Sequence, residues 1–243
     1  MVVELSAVLT RPLEWALARV TVDGADRLKS VMEAHGRALI VTAHLGNWEL
    51  LTAAHRLIGY PLTIVARPLD SRGLNALASR LREKAGVELV DKRNAVRPVL
   101  RALAAGRLVG ILLDQNAARH EGVFVPFFGR LASTSKSIAV LALRTGAPVL
   151  PIFMWREARG RHRVSIGAAI EVPSGRGGAE TIVEMTRRCT KAIEDAIRER
   201  PEQWLWMHAR WRTRPASEHG GPRNGPPIPP TLGAPRRSRG APR

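Results

Sequence analysis

The sequence predicts an α/β fold in which a mostly parallel central sheet is flanked by helices, and two patterns carry that reading. Short apolar runs recur along the chain, and stretches with helical spacing alternate with them. The 243 residues are also 45% hydrophobic, which is enough apolar material to bury a substantial core and excludes a disordered chain.

Taken in order, Met1 to Val20 has Leu5, Val8, Leu9, Leu13, Ala16 and Leu17 at roughly helical spacing, interrupted by Glu4, Arg11, Glu14 and Arg19. This reads as an amphipathic helix packed on the body; a helix lying in a membrane interface is the sharper alternative. Ala38–Ala43 follows as a strand, Trp48–Leu57 as a helix, Leu62–Ala66 as a strand and Leu74–Ala85 as a helix. Val87–Val90, Leu108–Leu113 and Pro148–Phe153 read as strands, with helices at Val96–Ala105 and Ser135–Arg144 between them. Val164–Ile170 is a further strand and Ala179–Glu199 a long helix. From Pro215 the chain turns to proline, glycine and arginine with no apolar periodicity, the composition of a disordered tail. The expected organisation is a segment over 1–20, a domain over 21–214 and a tail over 215–243.

The chain carries 38 Lys and Arg against 21 Asp and Glu, a formal net charge of +17. The tail holds five of the basic residues and one of the acidic ones, so residues 1–214 keep +13. Such a balance suits a nucleic acid, an anionic membrane or a phosphorylated substrate equally. One cysteine, Cys189, excludes an intramolecular disulfide and a multi-cysteine zinc module. Flanked by Arg188 and Lys191 in a helix with no partner nearby in sequence, it reads as inert. No P-loop or GxGxxG is present, and no apolar stretch approaches the ~20 residues that span a bilayer.

Chemistry gathers where the first of these strands ends, in His44-Leu45-Gly46-Asn47-Trp48-Glu49. On one continuous helix His44 and Glu49 would lie about 140° apart. They meet only if His44 lies in the loop and Glu49 in the first helical turn. Asn47 is a good N-cap for a helix starting at Trp48, and Gly46 allows a sharp turn. An imidazole whose tautomer is fixed by a carboxylate suits general-base activation of a hydroxyl nucleophile. Asp114 ends the strand Leu108–Leu113 at the same sheet edge, where it either meets a ligand or caps the following turn.

His-x4-Glu in this setting resembles the motif of the glycerolipid acyltransferases, in the variant of the lipid A biosynthesis (lauroyl/myristoyl) acyltransferase family. Two further blocks carry the same resemblance: Asp114-Gln115 followed by Gly122–Gly129, and Pro201–Trp206 followed by Arg210-Trp211. It runs from about residue 20 to about residue 214. It implies a glycerolipid-acyltransferase-like fold and transfer of an acyl group from acyl carrier protein or CoA to a hydroxyl of a membrane lipid, a lipid A precursor first. A lysophospholipid or a phosphatidylinositol mannoside is the alternative acceptor.

In that picture His44 is the general base and Glu49 orients it, while Arg67, Asp114, Asn47, Phe124 and Phe127 contact substrate. Phe124 and Phe127 would line the acyl pocket or the acceptor approach, against the plainer reading that they pack under the sheet. Arg67 would bind phosphate, and Arg80 is a weaker candidate inside a helix. No metal or cofactor is implied.

Members of the resembled family usually carry a membrane-anchoring segment ahead of the histidine motif; a downstream start of translation, a misassigned start codon or peripheral docking would each account for a chain that reaches His44 so soon. Peripheral attachment to the cytoplasmic face of a bacterial inner membrane, through the basic face and the N-terminal helix, is the expectation. The tryptophans 204, 206 and 211, interleaved with arginines, fit core packing, an interfacial belt or nucleic-acid stacking. A basic nucleic-acid-binding protein is therefore the rival reading, although no nucleic-acid partner is expected.

Overall fold

A computed structural model describes residues 10–67, 71–173 and 178–216. Seven strands form the sheet: β1 (Val20–Asp23), β2 (Ala38–Thr42), β3 (Leu62–Ala66), β4 (Glu88–Asp91), β5 (Leu108–Leu112), β8 (Val149–Arg156) and β9 (His162–Ile166). Their spatial order is β1-β9-β8-β2-β5-β3-β4, parallel throughout except for the antiparallel pair β8 and β9. A hairpin of β6 (Gly122–Phe127) and β7 (Arg130–Ser135) stands apart from it.

The helices are α1 (Leu13–Leu17), α2 (Ala25–His35), α3 (Trp48–Ile58), α4 (Arg72–Ala85), α5 (Val96–Ala104), α6 (Ser137–Thr145) and α7 (Ala179–Glu199). Every residue of β2 is buried, which is why this strand reads as an unbroken apolar run. Alternate side chains divide between two cores, as strand geometry requires. Leu39 and Val41 join α5, α6 and α7 on one face; Ala38 and Ile40 join α1 to α4 on the other. Cys189 lies in the first core, and burial pushes its thiol pKa up to about 12, so it stays protonated at neutral pH.

The fold class agrees with the sequence, with three boundaries corrected and further elements added. Val20 belongs to a strand rather than to the first helix, and α2 was not foreseen. The last strand occupies His162–Ile166, with Ile170 joined only by an isolated bridge to Val149. Ser135 ends a strand, so α6 begins at Ser137. The apolar stretch Gly122–Phe127, too hydrophobic for a solvated loop, is the first arm of the hairpin.

The N-terminal helix is partly resolved by its packing. Leu13, Ala16 and Leu17 are turned into the second core, so the apolar face of α1 is spent on the body and is not offered to a membrane. Residues 1–9, and the tail from residue 217 onward, lie outside the described residues. Among the described residues, no helix is long and apolar enough to cross a membrane.

Candidate active site

His44 lies two residues beyond β2, beside Asp114, which lies two residues beyond the neighbouring strand β5. The parallel register Thr42↔Leu112 makes the two positions equivalent on adjacent strands, so the sheet itself delivers imidazole and carboxylate to one edge. His44 Nδ1 is 2.9 Å from Asp114 Oδ1, and the His44 backbone N–H donates to Asp114 Oδ2 at 3.0 Å. Trp204 Nε1–H donates to the same Oδ2 at 2.8 Å.

Asp114 is buried, and burial alone would raise its pKa. The charge of His44, with hydrogen bonds from the His44 ring, the Trp204 indole and the His44 backbone, outweighs that and holds it below the ordinary carboxylate range. In the neutral imidazole, a carboxylate at this place favours the tautomer with the proton on Nδ1, which presents the Nε2 lone pair. Gln115 Nε2 stands 3.5 Å from that nitrogen, and the Trp48 ring meets the imidazole edge-on at 5.2 Å.

The segment after α7 straps this loop in place. Leu205 N–H donates to the His44 carbonyl at 3.0 Å, Gly46 N–H to the Gln203 carbonyl at 3.0 Å, and Leu45 bridges Trp204. Gln203 in turn exchanges both side-chain hydrogen bonds with the backbone of Arg156. Gly46 has φ +60°, and a Cβ there would come within 2.0 Å of the Met154 carbonyl oxygen, so only glycine lets the loop lie against β8. Asn47 caps α3, its Oδ1 accepting from Leu50 N–H at 3.1 Å.

Glu49 does occupy the first turn of α3, but it turns away from His44. Both of its oxygens are taken by Arg82 of α4, at 2.6 and 3.1 Å, in a buried pair. The carboxylate that holds the imidazole is thus Asp114, and Glu49 holds α3 to α4. Spacing along one strand-helix unit suggested Glu49, whereas the actual partner comes from the next strand in the sheet, 70 residues on. The pairing of Glu49 with Arg82 carried no signal, since Arg80 and Arg82 share one helix and Arg80 is the exposed one.

The other expected residues divide. Arg67 is exposed one residue beyond β3, on the same sheet edge as His44. Asn47 is buried in its capping role. Phe127 is fully buried among Trp204, Trp211 and Phe128, with the Arg210 guanidinium 4.9 Å from its ring; Phe124 lies under Arg119.

Neither phenylalanine lines the apolar cavity that, among the described residues, the helix Trp48–Ile58 covers. That cavity lies on the other face of the sheet, beneath α3, and amounts to about 620 Å³ with its open mouth included. Thr42, Leu112 and Trp48 line it near His44, and Ile58, Leu62 and Leu108 line its far part.

Two residues of the strap were not foreseen as part of the site. His208 Nε2 accepts from the Asn116 N–H at 2.6 Å; burial lowers its pKa more than the nearby Asp114 charge raises it. Arg210 is buried, donates to the Ser133 carbonyl at 2.7 Å and to Thr134 Oγ1, and burial brings its pKa down to about 10. The tryptophans separate accordingly: Trp204 is buried, Trp211 packs on Phe127, and Trp206 is exposed.

The family description "Bacterial lipid A biosynthesis acyltransferase" matches residues 1–213. The chain belongs to that family. The acyltransferase-family chain is 29% identical over 202 residues to the lipid A biosynthesis palmitoleoyltransferase of Escherichia coli K12, covering 81% of this chain and 63% of that protein. It is 28% identical over 203 residues to the lipid A biosynthesis lauroyltransferase of the same organism, covering 82% and 64%. It is also 27% identical over 218 residues to the phosphatidylinositol mannoside acyltransferase of Mycobacterium tuberculosis H37Rv, covering 86% and 65%. The chain therefore spans a little under two thirds of the length of these relatives.

Proposed function

We propose that the protein is an O-acyltransferase that moves a fatty acyl group from a thioester, on acyl carrier protein or CoA, to a hydroxyl of a membrane lipid. The observation that carries this is His44: Nδ1 lies 2.9 Å from the buried carboxylate of Asp114, and the ring meets Trp48, which lines an apolar cavity. Nε2 takes the proton of the acceptor hydroxyl as the oxygen attacks the thioester carbonyl. The tetrahedral intermediate then collapses, the carbon–sulfur bond breaks, and the imidazolium returns its proton to the departing thiolate. Asp114 stabilises the imidazolium in between. No acyl-enzyme is required. The acyl tail lies in the cavity beneath α3, and Arg67 at the sheet edge meets a phosphate of the acceptor or donor.

A lipid A precursor is the first acceptor, in keeping with the family. Purified protein, a panel of acyl carrier protein and CoA thioesters, and lipid A precursor, lysophospholipid or phosphatidylinositol mannoside as acceptor make the test. Mass spectrometry is expected to find one acceptor heavier by an acyl group. No acylated product from any pairing would refute the assignment.

Attachment to the membrane is peripheral and uses the strap beside the site rather than α1. Met207 is 93% exposed and Trp206 52% exposed. Phe128, at the hairpin turn next to Trp206, sits at φ 50°, a backbone conformation unusual for a bulky side chain; its N–H donates to Glu194 Oε2 at 2.7 Å. Arg198 lies 4.8 Å over the Phe128 ring, Arg130 lies over Trp211, and Arg212 is exposed on the strap. Apolar tips ringed by arginine suit an anionic bilayer. In a low-salt flotation assay the protein is expected to rise with anionic vesicles. Replacing both Trp206 and Met207 by serine is expected to weaken that partition about 10-fold or more. Wild-type protein that remains in the soluble fraction would remove the membrane surface from the proposal.

A further inference from the structure

Gly110 is a glycine without a local reason to be one. It sits in the middle of β5, where glycine weakens a strand and leaves no side chain to pack. Its φ is not in the left-handed region, so any L-residue fits its backbone. No backbone from another layer crowds it either. The atoms nearest to a Cβ built there are Ile64 and Leu62 side-chain carbons at 3.8 Å and the Thr63 carbonyl oxygen of the adjacent strand at 3.9 Å, ordinary contact distances. The contrast with Gly46, where a Cβ collides with a carbonyl, is direct.

What lies over Gly110 is the apolar cavity. The parallel register sets Ile40, Gly110 and Ile64 side by side across β2, β5 and β3, and all three line it. Leu112 and Leu108, two residues either side on the same face of β5, line its near and far parts. The missing side chain therefore leaves a trough along β5, walled by two isoleucines and roofed by α3.

We propose that Gly110 sets the length of the acyl chain that the protein accepts, by keeping open a shaft that a larger residue would block halfway down. This rests on the acyltransferase reading. From Leu112 to Leu108 the floor runs about 13 Å, and from Trp48 to Ile58 the roof runs about 15 Å. A fully extended chain advances about 1.2 Å per bond, so the shaft takes roughly ten to twelve methylenes. The carbons next to the thioester lie outside it, toward His44. The donor is thus a straight chain of roughly twelve to fourteen carbons. A side chain at position 110 meets that chain near its middle.

Transfer is measured with straight-chain donors of increasing length from six to eighteen carbons, for wild type, Gly110→Ala and Gly110→Leu. Gly110→Leu is expected to lower kcat/KM about 100-fold for the longer chains and to leave the shortest within a few-fold of wild type. Gly110→Ala is expected to shift the preferred length by a smaller step in the same direction, and it serves alone if the leucine variant does not fold. A profile that keeps its preferred length in a folded variant, or falls equally at all lengths, overturns the proposal.

If wild type acylates nothing, the enzymatic reading falls and the shaft is judged by binding. Laurate should then raise the thermal midpoint of wild type and not that of Gly110→Leu. Equal protection of both would overturn the shaft as well.

Discussion

Asp114→Asn is expected to lower kcat/KM for acyl transfer by about 10³ to 10⁴-fold, nearly as far as His44→Ala, while leaving the fold and lipid binding close to wild type. The reason is the tautomer. An amide at position 114 cannot serve as an acceptor on both of its heavy atoms, so if it keeps the Trp204 and His44 backbone N–H bonds on its oxygen, its NH₂ faces His44 Nδ1. That drives the ring proton to Nε2, where the base must instead present a lone pair. It also removes the charge that stabilises the imidazolium. Steady-state kinetics with a fixed donor, alongside thermal melting of each variant, make the check. An Asp114→Asn enzyme with wild-type kcat/KM would show that the buried carboxylate only supports the loop, and retained activity in His44→Ala would remove the base itself.

Trp204→Phe tests how that carboxylate is held, but with a smaller consequence, because Asp114 keeps both contacts to His44. The comparison matters for understanding why the site was only half legible in the sequence. His44 announced itself through local grammar: an apolar strand, a glycine that must turn, an N-cap and a helix, all within a dozen residues. Asp114 ended another strand and was seen, but nothing in a linear chain says that its strand is the neighbour of the histidine's. Sheet order is a property of packing, and here β5 lies between β2 and β3, so the strand next in sequence is not the one next in space.

Glu49 misled for the same reason in reverse. Its spacing from His44 is compatible with contact, yet a helix residue facing inward from the first turn meets the adjacent helix rather than the loop in front of it. The family resemblance offered Phe124 and Phe127 as lining for the acyl pocket or the acceptor approach, while their apolarity fitted packing equally, and apolarity does not distinguish the two faces of a sheet. The fold class, by contrast, followed from periodicity that is local by nature. What escaped there were the short edge strand β1, with half of its residues exposed, the helix α2, and the hairpin, whose first arm opens on three half-buried residues without alternation.

Breaking the Glu49–Arg82 pair is expected to cost stability rather than to change the chemistry of His44. The guanidinium and carboxylate meet through two hydrogen bonds, and their side chains retain only 10% and 5% of their exposure. Replacing either partner leaves the other as a buried charge without a counterion, a loss of about 3 to 5 kcal/mol. For a domain of this size that lowers the thermal midpoint by roughly 6 to 20 °C.

Removing both together, as Glu49→Leu with Arg82→Leu, is expected to be milder than either single change, because the double variant buries no unpaired charge. A thermal-melt cycle over wild type, the two single variants and the double variant measures this coupling. Kinetics separate it from catalysis. At a temperature where Glu49→Gln is folded, the kcat of the variant should stay within a few-fold of wild type and its pH–rate profile should keep its shape. A Glu49→Gln protein that melts like wild type yet loses activity with a displaced acid limb would restore Glu49 to the imidazole and take that role from Asp114.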